Sequence, residues 1–213
     1  MYDIVLFDLD GTLTDPGEGI TNSVAYALKK FDIIVEDKTQ IYNFIGPPLI
    51  DSFMKYYGLD RENGLLAVDY YREYFSVTGI FENKVFDGIP ELLNKIKNSG
   101  RKIALATSKP EIYARRILEH FDLSHYFNFI GGATMDETRS RKADVIDYTL
   151  KNLSVTDKST VVMVGDRHHD IEGANQNGLD SIGVLFGYGD HSELERAGAT
   201  YIAGTVNDIF KYL

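Results

Sequence analysis

The chain of 213 residues lacks cysteine altogether, which excludes disulfides and thiolate metal sites. Basic residues are scarce: 22 lysines and arginines stand against 32 aspartates and glutamates, a formal charge of −10 at pH 7. This balance gives no electrostatic support for binding a nucleic acid polymer or an anionic membrane. A small anionic substrate would therefore need a local positive site.

Long hydrophobic runs are also missing, and no apolar segment is long enough to span a bilayer. Residues 1–8 begin a strand at once, without the basic and apolar regions of a secretory signal. We therefore expect a soluble, cytoplasmic protein. The hydrophobic share of 44% and the five prolines are typical of a globular protein, either one large domain or a domain with a sizeable insertion.

Short apolar runs alternate with segments of helical periodicity over most of the chain. This alternation predicts a parallel, helix-covered α/β sheet of the Rossmann-like type. In such sheets ligands bind beyond the carboxyl ends of the strands. The predicted strands are 4–7, 102–107, 127–131, 160–165, 181–185 and 200–203, and the predicted helices are 89–98, 111–121, 142–153, 171–177 and 206–212.

Residues 16–84 break the alternation, because they hold helical patterns and no convincing strand. Asp15-Pro16 is typical of a helix start, and a second helix is expected after Gly46-Pro47-Pro48. We predict a core domain of residues 1–15 and 85–213 and an inserted helical domain of residues 16–84. The insertion follows the first strand, where it could cover a ligand site.

Two aspartates, Asp8 and Asp10, end the first strand abruptly. Residues two apart in an extended segment point to the same side, so their charges repel one another. A divalent cation or a shared proton would offset that repulsion. The alternative is that the pair only caps a turn.

A second apolar strand ends in Asp166, and Asp170 follows four residues later in the first turn of a helix. Two parallel strands that both end in carboxylates could place four of them around one point. An oxygen-rich site without sulfur suits Mg²⁺, which accepts one or two protein carboxylates, waters and phosphate oxygens.

Thr107 and Ser108 end a third strand, where a hydroxyl could bind a phosphate oxygen. Lys142 heads a helix after a polar stretch and could supply positive charge. Each has a simpler explanation when taken alone, because hydroxyls before Pro110 can cap a helix and a lone lysine is usually solvated.

Taken in order, Asp8-Leu9-Asp10-Gly11-Thr12, Thr107, Lys142 and Gly165-Asp166-Arg167-His168-His169-Asp170 resemble the DxDGT, Thr/Ser, Lys and GDxxxD motifs of the haloacid dehalogenase superfamily of aspartyl phosphatases. The insertion lies at that superfamily's helical-cap position. The segments 46–49, 86–89, 107–109 and 187–189 are similar to the phosphoglycolate phosphatase-like branch.

The resemblance implies a role for each matching residue. Asp8 would be the nucleophile, and Asp10 would act as the acid and base. Mg²⁺ would bind the Asp8 carboxylate, the Asp10 main-chain carbonyl and Asp166, while Asp170 would orient a bound water or one of these ligands without itself binding the metal. Phosphate oxygens would bind to Thr107, Ser108 and Lys142. Arg141 and Lys109 lie nearby and compete with Lys142 for this assignment. The cap loop at Gly46, Pro47 and Pro48 would contact the substrate.

The resemblance also implies a small phosphomonoester substrate. Phosphoglycolate is the leading expectation and a nucleoside 5′-monophosphate the alternative, because the aromatic residues of the insertion could stack on a base or simply pack in its core. Sugar-phosphate mutase activity, which belongs to a different reaction class, is a third hypothesis. We do not expect His168 and His169 to bind a metal, because these positions are variable in the motif of the family and a Mg²⁺ site prefers oxygen. The oligomeric state is not indicated.

Overall fold

A computed structural model describes residues 1–136 and 138–213 of the chain. These residues form two compact units. The core unit comprises Met1–Asp15 and Val85–Leu213, and the inserted unit comprises Pro16–Lys84. Within the described residues, no helix is both long enough and apolar enough to cross a bilayer.

Strands and helices alternate along most of the core unit. The strands are β1 (Ile4–Phe7), β2 (Thr14–Asp15), β3 (Lys84–Val85), β4 (Lys102–Pro110), β5 (Phe129–Ala133), β6 (Val161–Gly165), β7 (Asp180–Val184) and β8 (Tyr201–Ala203). The α-helices are α1 (Gly17–Lys29), α2 (Leu49–Tyr57), α3 (Arg61–Phe75), α4 (Ile89–Asn98), α5 (Glu111–His120), α6 (Lys142–Asn152), α7 (His168–Asn177), α8 (His191–Arg196) and α9 (Val206–Ile209).

Six strands form one sheet in the order β5-β4-β1-β6-β7-β8, and every neighbouring pair is parallel. β1 and β6 are buried along their whole length, as is expected for central strands that helices cover on both faces. Phe7 pairs with Leu105 of β4 on one side and with Val164 of β6 on the other. The predicted parallel α/β fold is confirmed.

This strand order positions the predicted chemistry. β1 lies between β4 and β6, and parallel strands have their carboxyl ends at the same edge of the sheet. Asp8 follows β1, Thr107 lies towards the end of β4 and Asp166 follows β6. Residues from three distant parts of the sequence are thereby brought to one edge.

Some boundaries differ from the sequence-based expectation. β4 extends to Pro110, three residues further than predicted, and its register with β5 shifts between Thr107 and Pro110. β5 begins at Phe129, two residues later than predicted. The amide of Asn128 donates to the Ile103 carbonyl at 2.7 Å, and its side-chain oxygen accepts from the Ile103 amide at 2.9 Å. The Asn128 side chain thus takes the place of a main-chain carbonyl as the acceptor for the Ile103 amide, where β4 begins to pair with β5.

The inserted unit consists of α1, α2 and α3 with short 3-10 helices at Lys38–Phe44 and Gly79–Phe81. Gly58 follows α2 directly, and its φ of 65° suits a residue without a β-carbon. Asp60 then caps α3 by accepting a hydrogen bond from the Asn63 amide at 2.8 Å. Much of the aromatic content packs internally: the rings of Phe44 and Phe53 lie 4.9 Å apart, edge to face.

Candidate active site

A tight turn follows β1 and carries the two aspartates of the first motif. The Asp8 amide donates to the Val164 carbonyl at 2.9 Å, which fixes the turn to β6. The carbonyl of Leu9 then accepts hydrogen bonds from the amides of Thr12, Leu13 and Thr14 at 3.2, 2.8 and 3.0 Å. These bonds determine where the side chains of Asp8 and Asp10 begin.

Lys142 is the first residue of α6, and its side chain is buried. Its Nζ lies 2.7 Å from Asp8 Oδ1, 2.7 Å from Asp170 Oδ1 and 3.1 Å from the carbonyl oxygen of Ala106. The two carboxylate contacts are ion pairs, whereas the Ala106 carbonyl accepts a hydrogen bond. Burial alone would lower the pKa of Lys142, but the charges of Asp170 and Asp8 outweigh it and raise that pKa.

Asp166 is fully buried directly after β6. Its Oδ1 accepts from the Thr12 hydroxyl at 3.3 Å, and its Oδ2 accepts from the Tyr188 amide at 2.8 Å. Burial, reinforced by the charges of Asp170 and Asp8, raises the pKa of Asp166 to about 8. A carboxyl group in this environment holds its proton unless a cation replaces it.

Glycines allow the chain to enclose Asp166. A β-carbon on Gly187 would lie 2.4 Å from Cβ of Asp166, and one on Gly189 would lie 2.0 Å from its carbonyl oxygen. A β-carbon on Gly11 would lie 2.2 Å from Oδ2 of Asp166. All three separations are too short for any side chain, so the main chain can approach Asp166 this closely only with glycine at these positions.

Asp170 lies in the first turn of α7 and is also buried. Its Oδ2 accepts from the Arg167 amide at 3.1 Å, while its Oδ1 contacts Lys142. Burial raises the pKa of Asp170 to about 6, against the lowering effect of Lys142. Carboxylate oxygens of Asp8, Asp166 and Asp170 all lie within 4.8 Å of one another. We call these three residues the carboxylate cluster.

Asp10 is paired with a different lysine. Its Oδ2 lies 2.5 Å from Lys109 Nζ, while its Oδ1 is buried and accepts no hydrogen bond from the described residues. Burial raises the pKa of Asp10 even though Lys109 lowers it. The two carboxylates of the first motif therefore sit in different surroundings, one bound to Lys142 and the other to Lys109.

The remaining predicted residues lie in both units. Thr107 is buried in β4, where its hydroxyl accepts from the Lys109 amide at 3.2 Å, and Ser108 is the next residue of that strand. Arg141, a predicted competitor of Lys142, is exposed. Gly46, Pro47 and Pro48 belong to the inserted unit, where they lead into α2.

The carboxylate cluster has the composition of a site for a hard divalent cation, because only oxygen atoms are offered. Asp8, Asp10, Asp166 and Asp170 face two ammonium groups, so the site carries an excess of negative charge when ionised. Burial, and after it the charges of Asp170 and Asp8, raise the pKa of Asp166. A bound divalent cation would relieve this repulsion, so the residues present fit such a metal.

Comparison with known families agrees with this geometry. The sequence profile described as haloacid dehalogenase-like hydrolase matches residues 5–184, which include both acidic motifs. The chain belongs to this family. A phosphatase of Clostridium acetobutylicum, described as predicted, has a crystal structure that superposes with a TM-score of 0.95 at 50% identity and covers 100% of this chain and 98% of its own.

Curated relatives of this haloacid dehalogenase-like hydrolase carry several activities. A 5′-nucleotidase of Pseudomonas aeruginosa is 47% identical over 91% of this chain and 87% of its own length. The tyrosine-protein kinase PtkA of Mycobacterium tuberculosis is 38% identical over 97% of this chain and 70% of its own. A phosphoglycolate phosphatase of Colwellia psychrerythraea is 27% identical over 97% of this chain and 95% of its own. The family match, the 5′-nucleotidase and the phosphatase of Clostridium acetobutylicum together identify the chain as a phosphatase.

Sequence reasoning missed two features of this haloacid dehalogenase-like site. The pairing of Lys109 with Asp10 was left open, since only the tertiary structure decides which lysine meets which aspartate. The amide of Tyr188, which binds Asp166, was also missed. The sequence signals this contact through the glycines on both sides of Tyr188, which are typical of a main chain that closely approaches another group, here Asp166.

Proposed function

We propose that this phosphatase is a Mg²⁺-dependent phosphomonoesterase that acts through a phosphorylated Asp8 and hydrolyses nucleoside 5′-monophosphates. One observation carries the reaction: Asp8 lies at the end of a central strand, 2.7 Å from a buried lysine and beside two further carboxylates. Phosphoryl transfer depends chiefly on positioning and charge neutralisation, and this arrangement supplies both.

Asp8 is the nucleophile in this proposal. Lys142 binds its Oδ1, which orients the carboxylate and leaves Oδ2 to attack phosphorus. The attack forms a bond between Oδ2 and phosphorus and breaks the ester bond to the leaving oxygen. Water then cleaves the acyl phosphate, which restores Asp8 and releases inorganic phosphate.

Asp10 is the acid and base. Burial raises its pKa, and its Oδ1 has no hydrogen-bond donor among the described residues, so this oxygen can hold a proton for the leaving group. Once that proton is given up, the same carboxylate can accept one from the attacking water. Acid–base assistance of this kind contributes roughly 10² to 10⁴ in rate.

Asp8, the main-chain carbonyl of Asp10 and Asp166 would hold Mg²⁺, whose charge would offset that of the transferring phosphoryl group. Asp170 would orient Lys142 without itself binding the metal. Its Oδ1 forms an ion pair with Lys142, and its Oδ2 accepts a hydrogen bond from the Arg167 amide. We assign binding of phosphate oxygens to Thr107, Ser108 and Lys142.

The substrate class rests on similarity. Identity to the 5′-nucleotidase is 47%, compared with 27% for the phosphoglycolate phosphatase. We therefore place a nucleoside 5′-monophosphate ahead of phosphoglycolate. The inserted unit, including the loop at Gly46, Pro47 and Pro48, is assigned as the cap that selects the substrate. Tyr42 and Tyr56 of that unit are exposed and thus available to stack on a base.

Phosphate release from the purified chain with Mg²⁺ tests this assignment. The substrates to compare are adenosine, guanosine and uridine 5′-monophosphates, adenosine 3′-monophosphate as the positional control, 2-phosphoglycolate and p-nitrophenyl phosphate. We expect the highest kcat/KM for the 5′-nucleotides. A higher value for 2-phosphoglycolate would reverse the substrate choice, and values no better than for the aryl phosphate would refute both.

The Asp8→Asn variant tests the mechanism, with Asp122→Asn as the control at an exposed carboxylate. We expect loss of at least about 10³-fold in kcat for Asp8→Asn and none for the control. Acid quenching during turnover should leave a phosphoryl group on the peptide that contains Asp8. If the products are an isomerised sugar phosphate or a phosphorylated tyrosine in place of free phosphate, the enzyme is a phosphotransferase.

A further inference from the structure

A second group of metal-ligand residues lies on α7, apart from the carboxylate cluster. One ring nitrogen of His168, one of His169 and one carboxylate oxygen of Glu172 all lie within 4.8 Å of one another. Glu172 lies four residues after His168 and three after His169, so it neighbours both histidines on the surface of the helix. The two imidazole rings are 3.8 Å apart between centroids. We call these residues the histidine cluster.

Glu193 fixes the orientation of the first histidine. Its Oε1 accepts from His168 Nδ1 at 2.7 Å, from the His168 amide at 2.9 Å and from Arg167 Nε at 2.8 Å. These donors outweigh the effect of burial and lower the pKa of Glu193 to about 2. An ionised carboxylate only accepts hydrogen bonds, so His168 Nδ1 is the donor in this contact. Metal-binding histidines are commonly oriented by a carboxylate in this way.

Space for a ligand is available beside the cluster. A cavity of about 370 Å³ is lined by His168, Glu172, Glu193, Arg196 and Ala197. This volume accommodates a hydrated cation. The guanidinium of Arg196 on the same wall opposes a positive charge, so we expect weaker binding than at a structural zinc site.

We propose that His168, His169 and Glu172 bind a borderline transition-metal cation of the Zn²⁺, Co²⁺ or Ni²⁺ type at a site separate from the carboxylate cluster. Imidazole nitrogen favours these ions, whereas Mg²⁺ prefers oxygen alone. The cation completes its coordination with water from the cavity. The two histidines lie between Asp166 and Asp170 in sequence, so one short segment would contribute ligands to both metals.

Co²⁺ is a suitable probe, because its visible absorption reports nitrogen ligands. The full chain is titrated with Co²⁺ in excess Mg²⁺, which occupies the carboxylate cluster, and the affinity is measured by calorimetry. We expect one Co²⁺ per chain with a visible band, retained in the Asp166→Asn variant. Complete competition by Mg²⁺, or loss of the band in Asp166→Asn, would place the ion at the carboxylates and overturn the proposal.

Variants of the cluster test the ligands. His169→Ala and the exposed Glu172→Gln should each weaken Co²⁺ binding by at least about 10-fold. Glu172→Gln guards against a folding defect, because its side chain is exposed. His125→Ala is the matched control. This variant also removes a histidine next to a carboxylate, because His125 lies 3.6 Å from Asp122, but it lies outside the histidine cluster. Unchanged binding in both cluster variants would refute the assignment.

Arg196→Gln distinguishes a cation from an anion. Removal of the positive charge should strengthen Co²⁺ binding about several-fold. A loss of Co²⁺ binding in this variant would show that the ion enters only with a bound anion, and it would overturn the proposed ligand set.

Discussion

Binding of Mg²⁺ to this phosphatase should release close to one proton at pH 7. The reason lies at Asp166, whose pKa is raised to about 8 by burial and by the charges of Asp170 and Asp8. A protonated carboxyl group must lose its proton before it can bind the cation. Asp170, with a pKa of about 6, is already mostly ionised at pH 7 and adds little.

The size of the effect follows from that value. With a pKa of about 8, Asp166 is roughly nine-tenths protonated at pH 7 and roughly one-tenth at pH 9. Proton release should therefore fall from about 0.9 per Mg²⁺ to about 0.1 over this interval. The apparent affinity should weaken about 50-fold as the pH is lowered from 8 to 6, because the proton and the metal compete for one carboxylate.

Isothermal titration calorimetry in two buffers of different ionisation enthalpy measures the protons released. Asp122→Asn, which alters an exposed carboxylate, should behave like the wild type. Mg²⁺ binding without proton release at pH 7, or with equal affinity at pH 6 and pH 8, would refute the environment assigned to Asp166.

Two further predictions concern neighbouring positions. Without metal, the wild type should lose stability as the pH rises from about 4 to 8, by up to about 1.4 kcal/mol per pH unit, because the folded state retains on Asp166 a proton that the unfolded chain gives up. Asp166→Asn should flatten that slope most between pH 6 and 8, above the pKa of about 6 of Asp170, and an equal slope in both proteins in thermal melts would contradict the reasoning. A β-carbon on Gly173 would lie 2.8 Å from Cγ of Lys142, so Gly173→Ala should displace this lysine and lower kcat by about 10- to 100-fold. The helical control Gly64→Ala, with its nearest contact at 3.3 Å, should keep the wild-type kcat; equal losses in both would show a general packing defect.

The sequence was sufficient for the fold and for the edge where the acidic motifs meet. Apolar strands that end in Asp8 and Asp166 are local features, and the parallel order of β4, β1 and β6 brings their ends together. The hydrogen-bond partners at that edge could not be predicted, because they depend on tertiary distances. The Tyr188 amide binds Asp166 across 22 positions, and Glu193 meets His168 across 25. Neither pairing has a periodicity that a sequence pattern would reveal.

The role of each lysine was undetermined for a related reason. Lys109 follows the apolar strand that ends in Thr107 and Ser108, and Lys142 follows a polar stretch, so each could have met either aspartate. The structure separates them because Lys142 heads α6 and reaches Asp8, whereas Lys109 stands in the irregular end of β4 beside Asp10. A register shift of this kind depends on the pairing with β5, which lies outside the local sequence.

The turn held by the Leu9 carbonyl has a consequence for how this enzyme can change. Three amides converge on that one oxygen, so Asp8, the proposed nucleophile, is anchored before the chain leaves the core unit after Asp15. Under the proposed function, substitutions, insertions or exchange of residues 16–84 would alter the substrate that is bound and leave the turn at Asp8 unchanged. The proposal thus predicts two separate evolutionary variables, with the chemistry constrained by one short turn and the choice of substrate free to diversify.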